Sequence, residues 1–351
     1  MKQSTDSAAR RKSPGTARRR AGFTLVELLT VIAIIGMLGA ISITTARAAI
    51  ESAKDSQTRM TIAKIDNVLT ACYEKYQYRR VDLTAVLPTN MQDNWRENNP
   101  TVRARYRLGI MRDLLRRDFP CTPAELSVDS AYGYDPTPVQ NAIQRTTENI
   151  PLSSYDFPEE GYPDTFAGTD GGGYPHVANA ELLYLVVMNA DPEARTLFTE
   201  REIGDVDGNG LNEFIDGWGR PICWMRWAPG LVSSDRQPLE SDMLDMLDSA
   251  SPDDLDAPPN QIDKIDRDPF DPLNVGFIHG DSGQIERGWF LVPYVYSAGP
   301  DGKYGLLMPN PDGTTRAEMN DPFKRNGSTL DVGTPYGKSH QDNIDNHTLV
   351  R

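Results

Sequence analysis

The 351-residue chain carries 36 Lys and Arg against 50 Asp and Glu, a net charge of −14. That length allows one large or two small domains with a sizeable core. The acidity excludes a protein that wraps nucleic acid directly, which needs a basic footprint. The average hides a split, however. Residues 1–22 hold seven Lys and Arg against Asp6 alone, net +6, so residues 23–351 carry −20. A basic head, an acidic body and one long apolar run between them exclude a plain cytosolic globular protein.

The apolar run, residues 23–43, reads FTLVELLTVIAIIGMLGAISI. Twenty-one residues at 1.5 Å each span about 31 Å, one hydrocarbon core. Arginines sit just before it and none sit inside it, which keeps residues 1–22 in the cytoplasm and sends the rest across. A cleaved secretory signal peptide is the alternative, with an A-x-A triplet at Ala46-Arg47-Ala48; the run is long for that role. Glu27 is ionisable inside this segment and therefore marks a functional position in search of a partner. Ala33, Gly36 and Ala40 are small residues at spacings that suit close helix packing.

Arg20 to Glu27 reads RAGFTLVE. This resembles the class III signal of type IV prepilins and type II secretion pseudopilins. The resemblance implies cleavage after Gly22 by a membrane prepilin peptidase, which also methylates the new N-terminal Phe23. It further implies that Glu27 pairs with the Phe23 ammonium of a neighbouring pilin or pseudopilin subunit during filament assembly on an inner-membrane platform. The chain has Thr44 where the family often has Pro, so the family's helix kink is not expected.

Apolar residues continue at helical spacing through Ile50, Ala53, Ile62, Ile65, Leu69, Cys72 and Tyr76, with charges between them. One helix is thus predicted from Phe23 to about Arg80, roughly 87 Å long. Residues 23–45 are its membrane or filament-core part and residues 46–80 its amphipathic stalk. The globular domain is expected over 81–330, with a polar, loose tail at 331–351. Residues 101–118 read as a solvated basic helix with Leu108, Met111, Leu114 and Leu115 on one side. Residues 120–175 read as loop, and 178–189 as a buried helix.

Residues 205–216 (DVDGNGLNEFID) follow the calcium-loop template. The oxygens would come from Asp205, Asp207, Asn209, the Leu211 carbonyl and Asp216, with Gly210 at the sharp turn. Position 12 is Asp rather than Glu, and Gly217, Gly219 and Pro221 preclude an exiting helix. An acidic Gly-rich turn without an ion is the alternative reading.

Residues 216–222 (DGWGRPI) look like the D-x-W-G-x-P element that opens the sheet in major pseudopilins. Strands are expected at 222–227 and 289–297, the second at an edge or bulge because of Pro293. Residues 297–305 (SAGPDGKYG) are similar to the S-x-G-x-D-G signature of that family, whose loop holds calcium. The matching ligands would be Ser297 and Asp301, with Asp321 as a distal carboxylate; a simple Pro-Asp-Gly turn is the alternative. Between the strands, residues 228–285 hold 13 Asp and Glu against three Lys and Arg, an acidic insertion unable to build its own core.

No histidine spacing suits a metal, and no nucleophile elbow or phosphate loop is present. Three cysteines imply no disulfide framework. The expectation is a non-enzymatic, α+β, pilin-like subunit: a single-pass inner-membrane protein with a periplasmic body, Ca²⁺ as cofactor and lipid and sibling subunits as partners. The resemblance points to a secretion pseudopilus. A type IV pilus for adhesion, motility or DNA uptake stays open, as does a calcium-binding domain that is tethered to the membrane and never polymerises.

Overall fold

A computed structural model describes residues 23–81, 100–127, 136–153, 176–191, 193–228, 278–279, 285–286, 292–306, 335 and 338–347. The head, most of the acidic insertion and Asp321 lie outside the described residues. The chain divides into two units, one ending at Glu51 and one starting at Ser52.

Helix α1 runs Leu25–Gln77 without interruption. It contains no Pro, so nothing removes an internal hydrogen bond. In the first unit its apolar side chains, from Leu25 to Ile43, are exposed to more than two-fifths of their area. Among the described residues it is the one helix long and apolar enough to cross a membrane.

In the second unit, α1 buries Thr58, Thr61, Ile62, Ile65, Val68, Leu69, Cys72 and Tyr73. These residues recur every three or four positions, so one stripe of the helix enters the core. Each buried Ile or Leu contributes about 1.5–3 kcal/mol through surface removed from water. Ile50 and Ala53, expected on the same stripe, are exposed.

Helix α2 (Pro100–Asp118) occupies the predicted basic segment. It is not solvated over its second half, however: Leu108, Ile110, Met111, Leu114 and Leu115 are buried, and so are Arg116 and Arg117. Arg116 reaches core depth because Asp113, one turn earlier, accepts a 2.7 Å hydrogen bond from its guanidinium. A short 3₁₀ turn, Pro123–Ser127, follows. Helix α3 (Pro138–Asn149) begins at an N-cap, Thr137, whose hydroxyl accepts from the Gln140 N–H, with Pro at the first turn.

Helix α4 (His176–Ala190) matches the predicted buried helix and is covered on nearly every side. Being apolar all round, it can only sit inside. Its Asn179 side chain stitches it to the sheet, accepting from the Trp224 N–H at 2.8 Å and donating to the Trp224 carbonyl at 2.9 Å. The four-residue α5 (Ala194–Leu197) leads into strand β1 (Ile203–Gly204), which pairs antiparallel with β2 (Glu213–Phe214).

Strand β3 (Cys223–Met225) pairs antiparallel with the later strand Tyr294–Ser297, in the register Trp224 opposite Val295. Two short strands between them, β4 (Ile278–His279) and β5 (Ile285–Glu286), pair with each other. Tyr294–Ser297 is β6, and β7 (Ile344–Asp345) completes the order β3-β6-β7. The architecture is thus α+β, with a long N-terminal helix and small antiparallel sheets, consistent with a pilin-like fold.

Residues Pro138–Asn149 form helix α3 where loop is expected, and two expectations about the sheet differ as well. Strand β6 is central, not at an edge, because Pro293 stops just short of the ladder and only lends its carbonyl to Asn346. The polar tail is not wholly loose: Ile344 and Asp345 are buried in the sheet, and the Asn346 side chain accepts from the Val295 N–H.

Candidate functional site

In the first unit, the functional positions cluster at the start of α1. The Thr24 hydroxyl accepts from the Glu27 N–H at 3.2 Å. The Glu27 carboxylate in turn accepts from the Thr24 N–H at 2.8 Å and from its hydroxyl at 2.9 Å. This is a reciprocal capping box, which satisfies helix-terminal donors that the chain otherwise leaves open. Glu27 therefore has local partners within its own chain. Phe23 is exposed beside it, and Gly22 lies outside the described residues.

The second unit contains two loops singled out in the sequence. The first closes the β1–β2 hairpin. Both Asp205 oxygens accept backbone N–H groups, Oδ1 from Gly208 and Asn209 and Oδ2 from Gly210. Asn209 Oδ1 accepts from the Leu211 N–H, and Asp207 Oδ1 from the Asn209 N–H. Gly208 and Gly210 have φ of 77° and 97°, which L side chains rarely adopt. Leu211 is buried and anchors the loop.

The hairpin folds against α4, and this brings in a residue outside the loop. Ligand atoms of Glu181, Asp207 and Glu213 lie within 4.8 Å of one another. Among the described residues this is the one such trio of acidic, His or Cys side chains. Glu181 and Glu213 have no exposed surface. Glu181 accepts from Asn209 Nδ2 at 2.5 Å and from the Ser153 N–H at 2.8 Å. Glu213 Oε2 accepts from the Val206 N–H at 2.8 Å. Among the described residues, no Lys or Arg pairs with any of the three.

Burial pushes Glu181 up to about 7 and Glu213 up to about 8. The neighbouring carboxylates act in the same direction on both, because like charges disfavour ionisation. A site of this kind offers only oxygens and an excess of negative charge, the donor chemistry of a hard divalent cation.

Asp216, the expected last ligand of the loop, does something else. Its Oδ1 accepts from the Trp218 and Arg220 N–H groups, and its Oδ2 accepts from the Ser297 hydroxyl at 2.7 Å. It therefore caps the DGWGRP turn and ties it to the second loop. The turn also docks on α1, where the Gly217 N–H donates to the Thr58 hydroxyl at 2.9 Å. A Cβ at Gly217 would lie 2.5 Å from the Lys54 carbonyl oxygen, so this approach requires glycine.

In the second loop, Ser297 meets Asp216, and the Asp301 N–H donates to the Asp342 carboxylate at 3.2 Å. Arg220 Nη1 donates to the Gly299 carbonyl at 2.6 Å. Its guanidinium sits 2.6 Å from where a Gly302 Cβ would be. A cation bound at 297–305 would share this corner with Arg220 and be repelled by it. Cys72, Cys121 and Cys223 are all buried, and none of them forms a disulfide.

Sequence reasoning passed over Glu213, inside the loop but outside the expected ligand set, and missed Glu181 altogether. Its signal was present: it is the lone charge in an otherwise apolar helix, the property that drew attention to Glu27.

Residues 17–43 match the prokaryotic N-terminal methylation motif. That motif is the signal of type IV prepilins and pseudopilins, and it marks the chain as a type IV pilin-like precursor. Members of that class are structural subunits, processed by prepilin peptidase and assembled with other pilin subunits. The apolar helix beside the motif is compatible with membrane anchoring. Neither a curated protein nor a solved structure matches the chain.

Proposed function

We propose that this chain is a subunit of a type II secretion pseudopilus. It is stored in the inner membrane with its body in the periplasm, is cut after Gly22 and methylated at Phe23, and is then drawn into the filament through α1. The observation that carries this reading is the methylation motif, continuous with a helix whose apolar residues from Phe23 to Ile43 are uncovered within the chain. Lipid covers such a surface in storage and sibling helices cover it in a filament.

Glu27 acts in that transfer. Its capping bonds to Thr24 hold a carboxylate at the helix start, where a neighbour's Phe23 ammonium can add an ion pair without new burial of an unpaired charge. The hairpin loop at 205–216 binds calcium and braces a body whose net charge of −20 otherwise repels its neighbours.

Mass spectrometry of the purified protein tests the processing step, with N-methylated Phe23 as the expected N-terminus. An intact head, or a start just after Ala48, contradicts it. Glu27→Ala tests assembly: the variant should insert in the membrane normally but fail to enter filaments. Unchanged incorporation would favour a tethered domain that does not polymerise, and long surface pili in place of secretion would favour a type IV pilus.

A further inference from the structure

The hairpin buries a carboxylate oxygen that has no hydrogen-bond partner. Glu213 is fully buried on β2, its Oε2 takes the Val206 N–H, and its Oε1 has no hydrogen-bond partner. Buried acceptors are almost always satisfied, because desolvation without a partner is costly. Glu213 faces Glu181 and Asp207, whose ligand atoms lie within 4.8 Å of its own. Ionised carboxylates accept hydrogen bonds and cannot donate them, so neither neighbour satisfies it in that form. What satisfies all three together in the ionised form is a cation.

We infer that Glu181, Asp207 and Glu213 form a calcium site that locks helix α4 to the β1–β2 hairpin. This rests on the reading of the hairpin loop as a cation site but assigns it a different ligand set. A linear twelve-residue loop closes on itself; this one closes on a helix some 25 residues earlier in the chain. The scaffold around the trio supports the assignment. Asn209 holds Glu181 through its amide, as a supporting partner orients a ligand. Asp205 spends both oxygens on three backbone N–H groups and shapes the turn. Asp216 is committed to the DGWGRP turn and Ser297. With oxygen donors alone and three formal negative charges, the trio suits Ca²⁺ over softer metals.

The test is isothermal titration of the detergent-solubilised full chain with CaCl₂, with MgCl₂ as the competing probe. Glu181→Gln and Glu213→Gln keep side-chain shape and should each weaken Ca²⁺ binding at least about 100-fold, the upper end of what losing a mere supporting partner costs. Asp216→Asn, outside the trio, should weaken binding by well under even the roughly 10-fold loss expected for a supporting partner. Circular dichroism without calcium checks that each variant folds. Asp207→Asn, which lies in the loop, serves where a buried variant does not fold, and it too should lose binding. Wild type that fails to bind Ca²⁺ overturns the calcium reading as a whole. Binding retained in Glu213→Gln or Asp207→Asn, or lost in Asp216→Asn alone, overturns this ligand set and leaves the calcium reading standing.

Discussion

The two loops of the second unit solve the same problem in opposite ways. At 297–305 the chain itself supplies the cation: Arg220 donates to the Gly299 carbonyl and lies against Gly302. At the 205–213 hairpin, Asp207 and Glu213 meet Glu181 of α4 and, among the described residues, no Lys or Arg joins them. Elsewhere the protein shows what a paired acid looks like. Glu202 is nearly as buried as Glu213, yet Lys64 Nζ sits 2.8 and 2.9 Å from its two oxygens. Burial raises the Glu202 carboxyl, but Lys64 and the Thr199 and Thr61 donors outweigh it and hold the group below its ordinary value. Glu213, with the Val206 N–H alone, is pushed the other way. A loop with its own guanidinium is closed by folding. A loop of converging acids is closed by whatever cation the compartment offers.

Thermal unfolding breaks or confirms this contrast most directly. Calcium at about 100 times its dissociation constant should stabilise the protein by about 2.7 kcal/mol, a rise in Tm of roughly 5 °C or more. Glu213→Gln should abolish that rise and Arg220→Met should preserve it. Loss of the rise in both variants, or in neither, would mean that the two loops do not divide the work as described. A smaller effect is expected from Arg220→Met itself. It deletes a charged donor to the Gly299 carbonyl and should cost about 1.5 kcal/mol, by the same amount with calcium or with chelator. A cost that shrank when calcium was added would place the ion at the second loop.

Most of the frame was legible because it rests on periodicity. Ile62, Ile65 and Leu69 repeat at helical spacing and are buried, while residues 178–189 are apolar on every side and lie inside. The strands around Trp224 and Val295 read as β from their apolar and aromatic content. The misses have a common cause, since each depends on which partner the fold supplies, near or distant in sequence, and no residue pattern displays that. Nothing local marks Ile344 and Asp345 as a strand; two residues in a polar stretch become one because β6 offers an unpaired edge and Asn346 bonds the Val295 backbone. A charged residue such as Arg116 is expected in solvent, and Asp113, one turn earlier, makes its burial tolerable. Asp216 fits the last position of a calcium loop by spacing. The same residue type also caps turns, and only the fold shows it bonded to the Trp218 and Arg220 N–H groups.

The last contrast between the loops is their response to acid, and α4 reaches both. His176, at its start, stacks on Tyr304 of the second loop with ring centroids 4.3 Å apart, and its Nδ1 lies 3.9 Å from Cys223 Sγ. Burial drives His176 down to about 3, so the folded protein keeps it neutral. Unfolded, it titrates near the ordinary value of about 6.5. The folded state therefore binds fewer protons, and the stability tied to neutral His176 is fully present above about pH 6.5 and is lost as the pH falls toward 3. The carboxyls of Glu181 and Glu213 titrate over the neighbouring range with the opposite sign, so the wild-type profile alone does not isolate the histidine. The difference between wild type and His176→Gln does. That difference should move against wild type by about 1.4 kcal/mol between about pH 7.5 and about pH 5.5 in chemical denaturation with chelator present. A difference that stays flat with pH would mean that His176 takes up a proton in the folded state, and that the second loop is as open to protons as the first.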